Sequence, residues 1–355
     1  AVLEGFTLTG GSASGGGGVY ISESSPTLVG CVITGNTASD DGGGVAVISG
    51  SPRFVDCVIA GNTTVTSSFS YRYGGGLYAV SSSSIEMVGG EISQNSGYGG
   101  GGGVYLGSGS SLSLDGVEIS GNTVVYSGSN NSYGHGGGIW SGGANVTLSE
   151  CMISGNTCGR YGGGIYGGEL TLTDTVVSGN VCANSTYETR GGGICYGTVS
   201  ISGGSVSGNE SGRGGGGGLY GCSGQVTNCL LIGNVAWGDG GGVFTYSSMT
   251  FTGCSLEEND ADGFGGAMYV SAGTPTVQNS QVRLNSAGQA GGIWVEDGTL
   301  RTGNTLYCGN GVNIGGPYTD LGGNVFQGGC DGSGATTRLV PEEYATIQGA
   351  IDACF

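Results

Sequence analysis

One motif recurs eleven times along this chain and limits its possible folds more than any other feature. Each unit starts with a run of glycines and ends with an asparagine, as in "GGGVYISESSPTLVGCVITGN" and "GGGIYGGELTLTDTVVSGN". Self-similarity at a period of roughly 20 to 50 residues is typical of solenoids and other repeat proteins. The unit-ending asparagines are Asn36, Asn62, Asn95, Asn122, Asn156, Asn180, Asn209, Asn234, Asn259, Asn285 and Asn310.

The interior of each unit favours short strands over helices. Stretches such as "LTLTDTVV" and "VSISGGSVS" alternate apolar and polar residues and are separated by glycine or asparagine. A unit of about 25 residues has no room for an ordinary helix beside such strands. The units therefore predict an all-β parallel solenoid of about eleven coils, with three short strands per coil.

Stacked coils would bond to one another about 4.8 Å apart, giving a rod on the order of 50 Å long. We assign residues 1–330 to the solenoid and residues 331–355 to a C-terminal tail. Insertions such as "TTVTSSFSYRY" and "VVYSGSNNSYGH" all fall between an asparagine and the next glycine run. They therefore occupy one corner of the repeat, on one side of the rod.

The glycines and asparagines are expected to have architectural roles. The glycine runs mark a corner that needs positive φ or close backbone approach. The asparagines mark a second corner, where they either adopt a left-handed φ or point inward and hydrogen-bond to the turns and to one another. We expect no catalytic role for them in either arrangement.

The paired signals "GGGV" and "ITGN" resemble the repeats of the polymorphic outer-membrane protein family. More broadly, the units are similar to those of right-handed parallel β-helix proteins of the pectin-lyase-like superfamily. This resemblance covers nearly the whole chain and implies a right-handed coil. It leaves activity open, because the superfamily includes adhesins, surface structural proteins and polysaccharide-degrading enzymes.

Composition excludes several classes of partner and compartment. The chain has 26 acidic residues and eight basic ones, all of them arginine, for a net charge of −18. Nucleic acid and anionic membrane surfaces are therefore unsuitable partners. No apolar run is long enough to span a membrane. Twelve cysteines without a zinc-binding spacing favour an extracellular or cell-surface location.

A column of aromatic residues is expected on the outer face. These residues follow the first inward aliphatic residue of nine of the eleven units. The column either stiffens the sheet, with or without cover from the inserted loops, or forms a contact surface for sugar rings or another chain. Its members are Tyr20, Tyr78, Tyr105, Trp140, Tyr166, Tyr220, Phe244, Tyr269 and Trp294.

Most cysteines fall on adjacent coils, where in-register Cα atoms would lie within disulfide range. Corner pairs suit a disulfide better than pairs inside a strand ladder, whose parallel side chains give a poor torsion. For Cys31/Cys57 and Cys229/Cys254 a reduced apolar stack therefore competes with a disulfide. The other candidates are Cys158/Cys182, Cys195/Cys222 and Cys308/Cys330, which leaves Cys151 and Cys354 unpaired.

Enzyme motifs of this fold are incomplete. The only histidine, His135, lies in "GHG", and the "DD" of Asp40 and Asp41 lies three coils away. Three coils correspond to roughly 14 Å, too far for two groups acting across one sugar bond. We expect no cofactor, with calcium at Asp260 and Asp262 of "ENDADGFGG" as an alternative.

The last residues, "VPEEYATIQGAIDACF", resemble the segment that caps the first coil of such β-helices. Ile347, Ala350, Ile351 and Cys354 recur at helical spacing. Since the chain begins in mid-coil, this helix could cap its own solenoid, open a further domain, or cap the next molecule and propagate a head-to-tail fibre.

Two functions remain. The first is a non-enzymatic extracellular or cell-surface rod that mediates adhesion, associates with itself, and contacts polysaccharide or another surface protein. The alternative is a polysaccharide lyase or hydrolase.

Overall fold

The computed structural model describes residues 1–65, 72–125, 134–182 and 188–330, together with the backbone of 338–339. These residues form a parallel β-solenoid of about eleven turns, and no helix occurs among them. The predicted fold class is confirmed in these respects, while the hand of the coil stays a prediction. We call one turn of the solenoid a coil and number the three sheets in the order in which the chain enters them.

Sheet 1 is crossed twice by each coil, as strand 1a and then strand 1b. In two coils one long strand makes both crossings, Arg53–Ala60 and Ser84–Ser93. The other 1a strands are Val2–Glu4, Thr27–Val29, Ser111–Asp115, Asn145–Ser149, Glu169–Thr173, Thr198–Ser202, Ser223–Thr227, Thr250–Thr252, Thr276–Gln278, Leu300–Gly303 and Tyr318–Asp320. The other 1b strands are Thr7–Thr9, Val32–Thr34, Glu118–Ser120, Met152–Ser154, Val176–Ser178, Ser205–Ser207, Leu230–Ile232, Ser255–Glu257, Gln281–Arg283, Leu306–Cys308 and Val325–Gln327.

Sheets 2 and 3 each take one short strand from a coil. Sheet 2 contains Ser12–Ala13, Thr37–Ala38, Thr63–Thr64, Ser96–Gly97, Thr123–Val124, Thr157–Cys158, Val181–Cys182, Glu210–Ser211, Val235–Ala236, Asp260–Phe264 and Ser286–Gln289. Sheet 3 contains Val19–Ser22, Val45–Ile48, Leu77–Val80, Val104–Leu106, Ile139–Ser141, Ile165–Tyr166, Ile194–Cys195, Leu219–Tyr220, Val243–Thr245, Met268–Gly273, Ile293–Gly298 and Ile314–Gly315. Neighbouring coils pair in parallel, and the short strand Arg338–Leu339 pairs antiparallel with Val325–Gln327.

The core is a set of parallel side-chain columns inside the coil. Alternation along each strand sends every second residue inward, and parallel register places equivalent residues above one another. Burying one such side chain fully contributes about 1.5–3 kcal/mol. One column of 1a residues, each at most 2% exposed, comprises Leu28, Phe54, Met87, Leu114, Leu148, Leu172, Ile201, Val226, Phe251 and Val277.

The unit-ending asparagines form a buried amide ladder at the corner between strand 1b and sheet 2. The Nδ2 of Asn122 donates to the Oδ1 of Asn156 at 2.9 Å and to the carbonyl of Ile92 at 2.8 Å. Its Oδ1 accepts from both the backbone N–H and the Nδ2 of Asn95. The same pattern runs from Asn36 to Asn310, and the ladder ends where Asn310 donates to Asn313.

The positive φ at this corner belongs to the residue before the asparagine, such as Gly121 or Gln94. Of the two arrangements open to the asparagines, the structure therefore shows the inward one, without the left-handed backbone. An asparagine fits because its side chain both donates and accepts within a closed corner.

Two positions of the glycine corner favour glycine for different reasons, although Ala290 and Ala267 occupy them in one coil each. Gly101 has a φ of 61°, a region that residues with a Cβ rarely adopt. A Cβ on Gly103 would lie 2.7 Å from the carbonyl oxygen of Gly138 and 3.0 Å from the Asn122 side chain. The first glycine therefore serves the turn, and the third allows the amide ladder to approach the backbone.

Two of the predicted disulfides are confirmed. Cys158 and Cys182 join neighbouring coils at sheet 2, with their Cα atoms 4.9 Å apart. Cys308 and Cys330 join the last coils, with a Cα separation of 5.1 Å. Disulfides of this kind are typical of a protein that folds in a non-reducing compartment.

The predicted bridge between Cys195 and Cys222 is wrong, and both cysteines are free. Cys195 is in register with Tyr220, so Cys222 lies two residues further along the chain. Its thiol points at backbone and lies 3.5 Å from the Tyr196 carbonyl and 3.6 Å from the Tyr220 carbonyl. Two fully buried thiols thus remain reduced although the repeat brings their strands together.

For Cys31/Cys57 and Cys229/Cys254 the structure shows the reduced stack. Each of these cysteines occupies an inward position at the corner between strands 1a and 1b, and all four are free. The thiol of Cys254 donates to the carbonyls of Val226 and Thr252. At the same corner, the hydroxyl of Thr175 donates to the corresponding carbonyls of Leu148 and Thr173.

Cys151 also belongs to this thiol corner. It lies five residues before its unit asparagine, the same spacing as Cys31, and it donates to the carbonyl of Ser149. That spacing was readable from the sequence and explains why Cys151 needs no disulfide partner.

The proposed end-cap residues Ile347, Ala350, Ile351 and Cys354 lie outside the described residues, as does most of the tail 331–355. None of the predictions about that helix is therefore tested. In the part of the chain that the structure describes, no helix is long and apolar enough to cross a membrane.

Candidate functional site

The predicted aromatic column exists on the outer side of sheet 3. Register pairs each member with its equivalent in the next coil, with Ala46 and Cys195 at the two positions that lack a ring. Adjacent rings stack, for example Tyr78 on Tyr105 at 5.3 Å and Tyr220 on Phe244 at 4.7 Å between centroids. We call this set, from Tyr20 to Trp294, the aromatic column.

A second column, which we call the covering column, lies beside the first. It consists of the residues that directly precede each glycine run, and bridges between neighbouring coils align five of them: Tyr73, Gly100, His135, Tyr161 and Arg190. Because of this cover, only Tyr20 is widely exposed, at 60%, whereas Tyr220 and Tyr269 are 5% and 6% exposed. The insertions directly precede this column in the sequence. Part of the cover that the inserted loops were expected to give the aromatic column therefore comes from residues at the ends of those loops.

Rings of the two columns interlock. His135 stacks on Tyr161 and on Tyr166, with centroids 4.8 and 4.6 Å away. Tyr73 stacks on Tyr105 at 4.6 Å. Such pairs add about 0.5–1.5 kcal/mol each beyond the area they bury.

Glycine in the covering column makes room for larger rings. A Cβ on Gly100 would overlap the indole of Trp140, and a Cβ on Gly215 would lie 3.1 Å from the ring of Phe244. The two columns therefore share a fixed total volume. Where one lacks a side chain, a ring of the other fills the gap.

Tyr196 replaces the ring that Cys195 lacks. It adopts a φ of 61°, which is uncommon for a residue with a side chain. Its ring contacts Tyr166 at 5.9 Å and Tyr220 at 5.6 Å, both edge to face. Ring contacts consequently run without a break from Tyr78 to Trp294.

Arg190 is one of two arginines in the described ranges whose guanidinium groups lie over rings of this face, the other being Arg160 over Tyr161 at 5.0 Å. The Arg190 guanidinium lies 5.6 Å from the centroid of Tyr161 and 5.1 Å from that of Tyr220, and it donates to the hydroxyl of Tyr196 at 3.2 Å and to Glu188 at 2.7 Å. Cation–π contacts of this kind favour arginine over lysine, because a planar guanidinium can stack.

The phenols of Tyr78, Tyr166 and Tyr220 in the aromatic column remain neutral at physiological pH. Burial raises the pKa of Tyr166 to about 12, and burial likewise raises the pKa of Tyr78 and Tyr220 above the ordinary tyrosine value. The face therefore offers uncharged rings with hydrogen-bonding hydroxyl groups, together with the guanidinium groups of Arg160 and Arg190. It can stack and hydrogen-bond, but it has no ionised nucleophile among these tyrosines.

Asp41 and His135 belong to the same covering column, three coils apart, as expected from the sequence. The Oδ1 of Asp41 accepts from the backbone N–H of Tyr73 at 2.8 Å. Burial raises the pKa of Asp41, against the lowering effects of this hydrogen bond and of Arg72. Successive coils separate Asp41 from His135 by about 14 Å, so the structure does not bring the two together.

Asp260 and Asp262 are exposed on the strand Asp260–Phe264 of sheet 2. The neighbouring Asp239 accepts from the backbone N–H of Phe264, and Glu257 is paired with Arg283 at 2.7 Å. Within the described ranges, no three His, Cys, Asp or Glu side chains lie close enough together to hold a metal ion. Calcium at Asp260 and Asp262 stays a prediction.

The sequence analysis missed the covering column and Tyr196. Their signal was present, since Tyr73, His135, Tyr161 and Arg190 all occupy the position just before a glycine run. The pattern was hidden because this position holds Asp, Tyr, His, Arg, Phe or Gln in eight units and Gly in three.

Comparisons with known proteins give no identity. No protein-family model, no curated protein and no solved structure matches this chain.

Proposed function

We propose that this protein is a non-enzymatic structural rod of the extracellular space or cell surface, and that its aromatic face mediates adhesion. The observation that carries this proposal is the continuity of the amide ladder and the ring contacts across successive coils. Repeated contacts of this kind build a stiff, regular object, whereas an active site needs a local departure from the repeat.

Charge placement supports a structural role. Arg53 pairs with Glu86, Arg72 with Asp40 and Arg283 with Glu257, each time across a coil boundary. Exposed pairs of this kind contribute at most about 1 kcal/mol each. They use the few basic residues to link coils, and the remaining negative charge keeps the rod soluble.

An extracellular location is supported by the two disulfides and by the resemblance of the repeats to outer-membrane surface proteins. Because most rings of the aromatic column are covered, adhesion through this face uses its accessible part, where an aromatic ring presents a large rigid surface with a polar edge. Tyr20 is its most accessible ring.

Two measurements on the intact chain test this proposal. Small-angle X-ray scattering should show a rigid rod whose solenoid is on the order of 50 Å long. Incubation with a panel of neutral and acidic polysaccharides should release neither new reducing ends nor unsaturated products. Catalytic release of either product would overturn the proposal in favour of a hydrolase or a lyase.

A further inference from the structure

The arginines of the chain are restrained in different ways. The chain has no lysine, so its eight arginines are its only long basic side chains. Arg53, Arg283 and Arg301 lie in strands of sheet 1, and each of them is paired with a strand of the coil on either side. The backbone of such a strand cannot leave the sheet without breaking the hydrogen bonds on both sides.

Three further arginines lie outside the strands but have their guanidinium groups engaged. Arg72 pairs with Asp40 at 3.0 Å. Arg160 is only 6% exposed, and Arg190 lies over two rings and pairs with Glu188. A trypsin-like protease takes the side chain before the cleaved bond into a pocket of its own. Side chains that are already engaged are therefore poorly available to it.

Arg213 has none of these restraints. Its side chain is exposed, and within the described residues it makes no ion pair, hydrogen bond or ring contact. Arg213 and Gly214 form a turn between the strand Glu210–Ser211 and the next glycine run. Exposed turns made of small residues are the preferred sites of proteolytic nicking.

The backbone around Arg213 is held by few hydrogen bonds. Gly212 donates to the hydroxyl of Thr189 at 2.8 Å, and Gly214 donates to the carbonyl of Thr189 at 3.1 Å. The backbone N–H of Arg213 has no hydrogen-bond partner among the described residues. Because the residues on both sides are glycines, this segment can adopt the extended conformation that a protease binds at little steric cost.

We propose that the bond between Arg213 and Gly214 is the site at which trypsin-like serine proteases cleave the folded rod. In this hydrolysis one water molecule is consumed and the C–N bond breaks. The carbonyl carbon of Arg213 becomes a carboxylate, and the nitrogen of Gly214 becomes a new amino terminus. The site is a modification site of the rod and is independent of the proposed adhesion.

The cut rod stays assembled. Strands on the two sides of the cut pair with each other in all three sheets, and the amide ladder crosses the cut from Asn209 to Asn234 at 2.9 Å. Neither disulfide of the described chain spans residue 213. The two fragments should therefore stay together under native conditions and separate in detergent without a reductant.

The test is limited digestion of the intact protein with trypsin, followed by mass spectrometry and denaturing electrophoresis without a reductant. We expect a first cut that gives fragments 1–213 and 214–355, the second being shorter where Arg338 is also cut. Size-exclusion chromatography in native buffer should show an unchanged elution volume. Arg213→Gln should slow this cut by roughly tenfold or more.

The absence of lysine provides a matched pair of variants. A lysine-specific protease has no site in the wild type, whereas Arg213→Lys and Arg301→Lys each introduce a single lysine at an exposed position. The first lies in the turn and the second in a strand that is paired on both sides. We expect Arg213→Lys to be cut faster than Arg301→Lys by roughly tenfold or more, because only the turn opens locally.

Each contrary result has a separate meaning. A first cut after Arg72 or Arg190, resistance of the folded wild type to trypsin, or equal cleavage of the two lysine variants would overturn the assignment of the site. Separation of the fragments in native buffer would overturn the inference that the cut rod stays assembled. All of these results would leave the proposed structural role of the uncut rod unchanged.

Discussion

The asparagine corner and the aromatic face are both ladders built from one position of the repeat, but they differ in how much variation they accept. The corner has asparagine in eleven successive units, whereas the aromatic column contains Tyr, Trp, Phe, Ala and Cys. The corner depends on directional hydrogen bonds in a closed space, so no other side chain replaces its donor and acceptor. The face depends on ring packing, where a neighbour can fill a gap.

The strongest test of this difference is Asn122→Ala. The substitution removes the partners of the Ile92 carbonyl and of the Asn95 backbone N–H, and it shortens the amide ladder. Leaving buried polar groups unpaired costs about 1–3 kcal/mol each, so we expect a loss of about 4 kcal/mol in the free energy of unfolding. Denaturant titration followed by circular dichroism measures it.

Tyr105→Leu in the same coil is the control for the aromatic face. It removes ring contacts but leaves an apolar side chain, so it should cost about 1 kcal/mol. Equal losses for the two variants would contradict the distinction between corner and face.

Removal of the disulfide at sheet 2 should have the next largest effect. Cys158→Ser opens a link between cysteines 24 residues apart, which corresponds to about 3 kcal/mol of unfolding free energy. Cys254→Ser is the matched control, because a hydroxyl already makes the equivalent contacts at Thr175. We expect less than about 1 kcal/mol for this control.

Treatment with a reductant should destabilise the wild type at least as much as Cys158→Ser does, because it also opens Cys308–Cys330, and it should leave the effect of Cys254→Ser unchanged. A Cys254→Ser variant as unstable as Cys158→Ser would show that the thiol corner has a role that a hydroxyl cannot fill.

Gly100→Ala tests volume sharing on the aromatic face. The new methyl group would occupy the place of the Trp140 ring and force it outward. Overpacking of this kind costs about 1–3 kcal/mol. Tryptophan fluorescence should shift to the red as Trp140 becomes exposed, and an unchanged spectrum would contradict the interlocking of the two columns.

The sequence predicted the course of the backbone more completely than the exposure of the side-chain columns on the surface. Parallel register and the Asn–Gly spacing determine which residues share a column, so the solenoid, the amide ladder and the Cys158/Cys182 bridge followed from counting positions. Whether a column is exposed depends on side chains from other positions. The residues of the covering column could be aligned from the sequence, but only the structure shows that Tyr73 and His135 cover the rings and that the Tyr196 ring lies beside Cys195.

Asp41→Asn should have the smallest effect on the free energy of unfolding. The pH dependence of that effect distinguishes the aromatic face from the asparagine corner. Asp41 contacts the backbone of Tyr73 and interacts with Arg72, Asp40 and Tyr78, and burial raises its pKa above the ordinary value of 3.8. A raised folded-state pKa means that protonated Asp41 favours folding, and that this contribution is lost as pH rises through the folded pKa.

Asp41→Asn keeps the acceptor and cannot ionise. Its free energy of unfolding should therefore improve relative to the wild type as pH rises above the ordinary aspartate pKa, by less than about 1 kcal/mol. The asparagine corner does not titrate, so the difference between Asn122→Ala and wild type should stay constant over the same range. Parallel pH profiles for Asp41→Asn and wild type would show that water screens this carboxylate and that the aromatic face is open at its first coils.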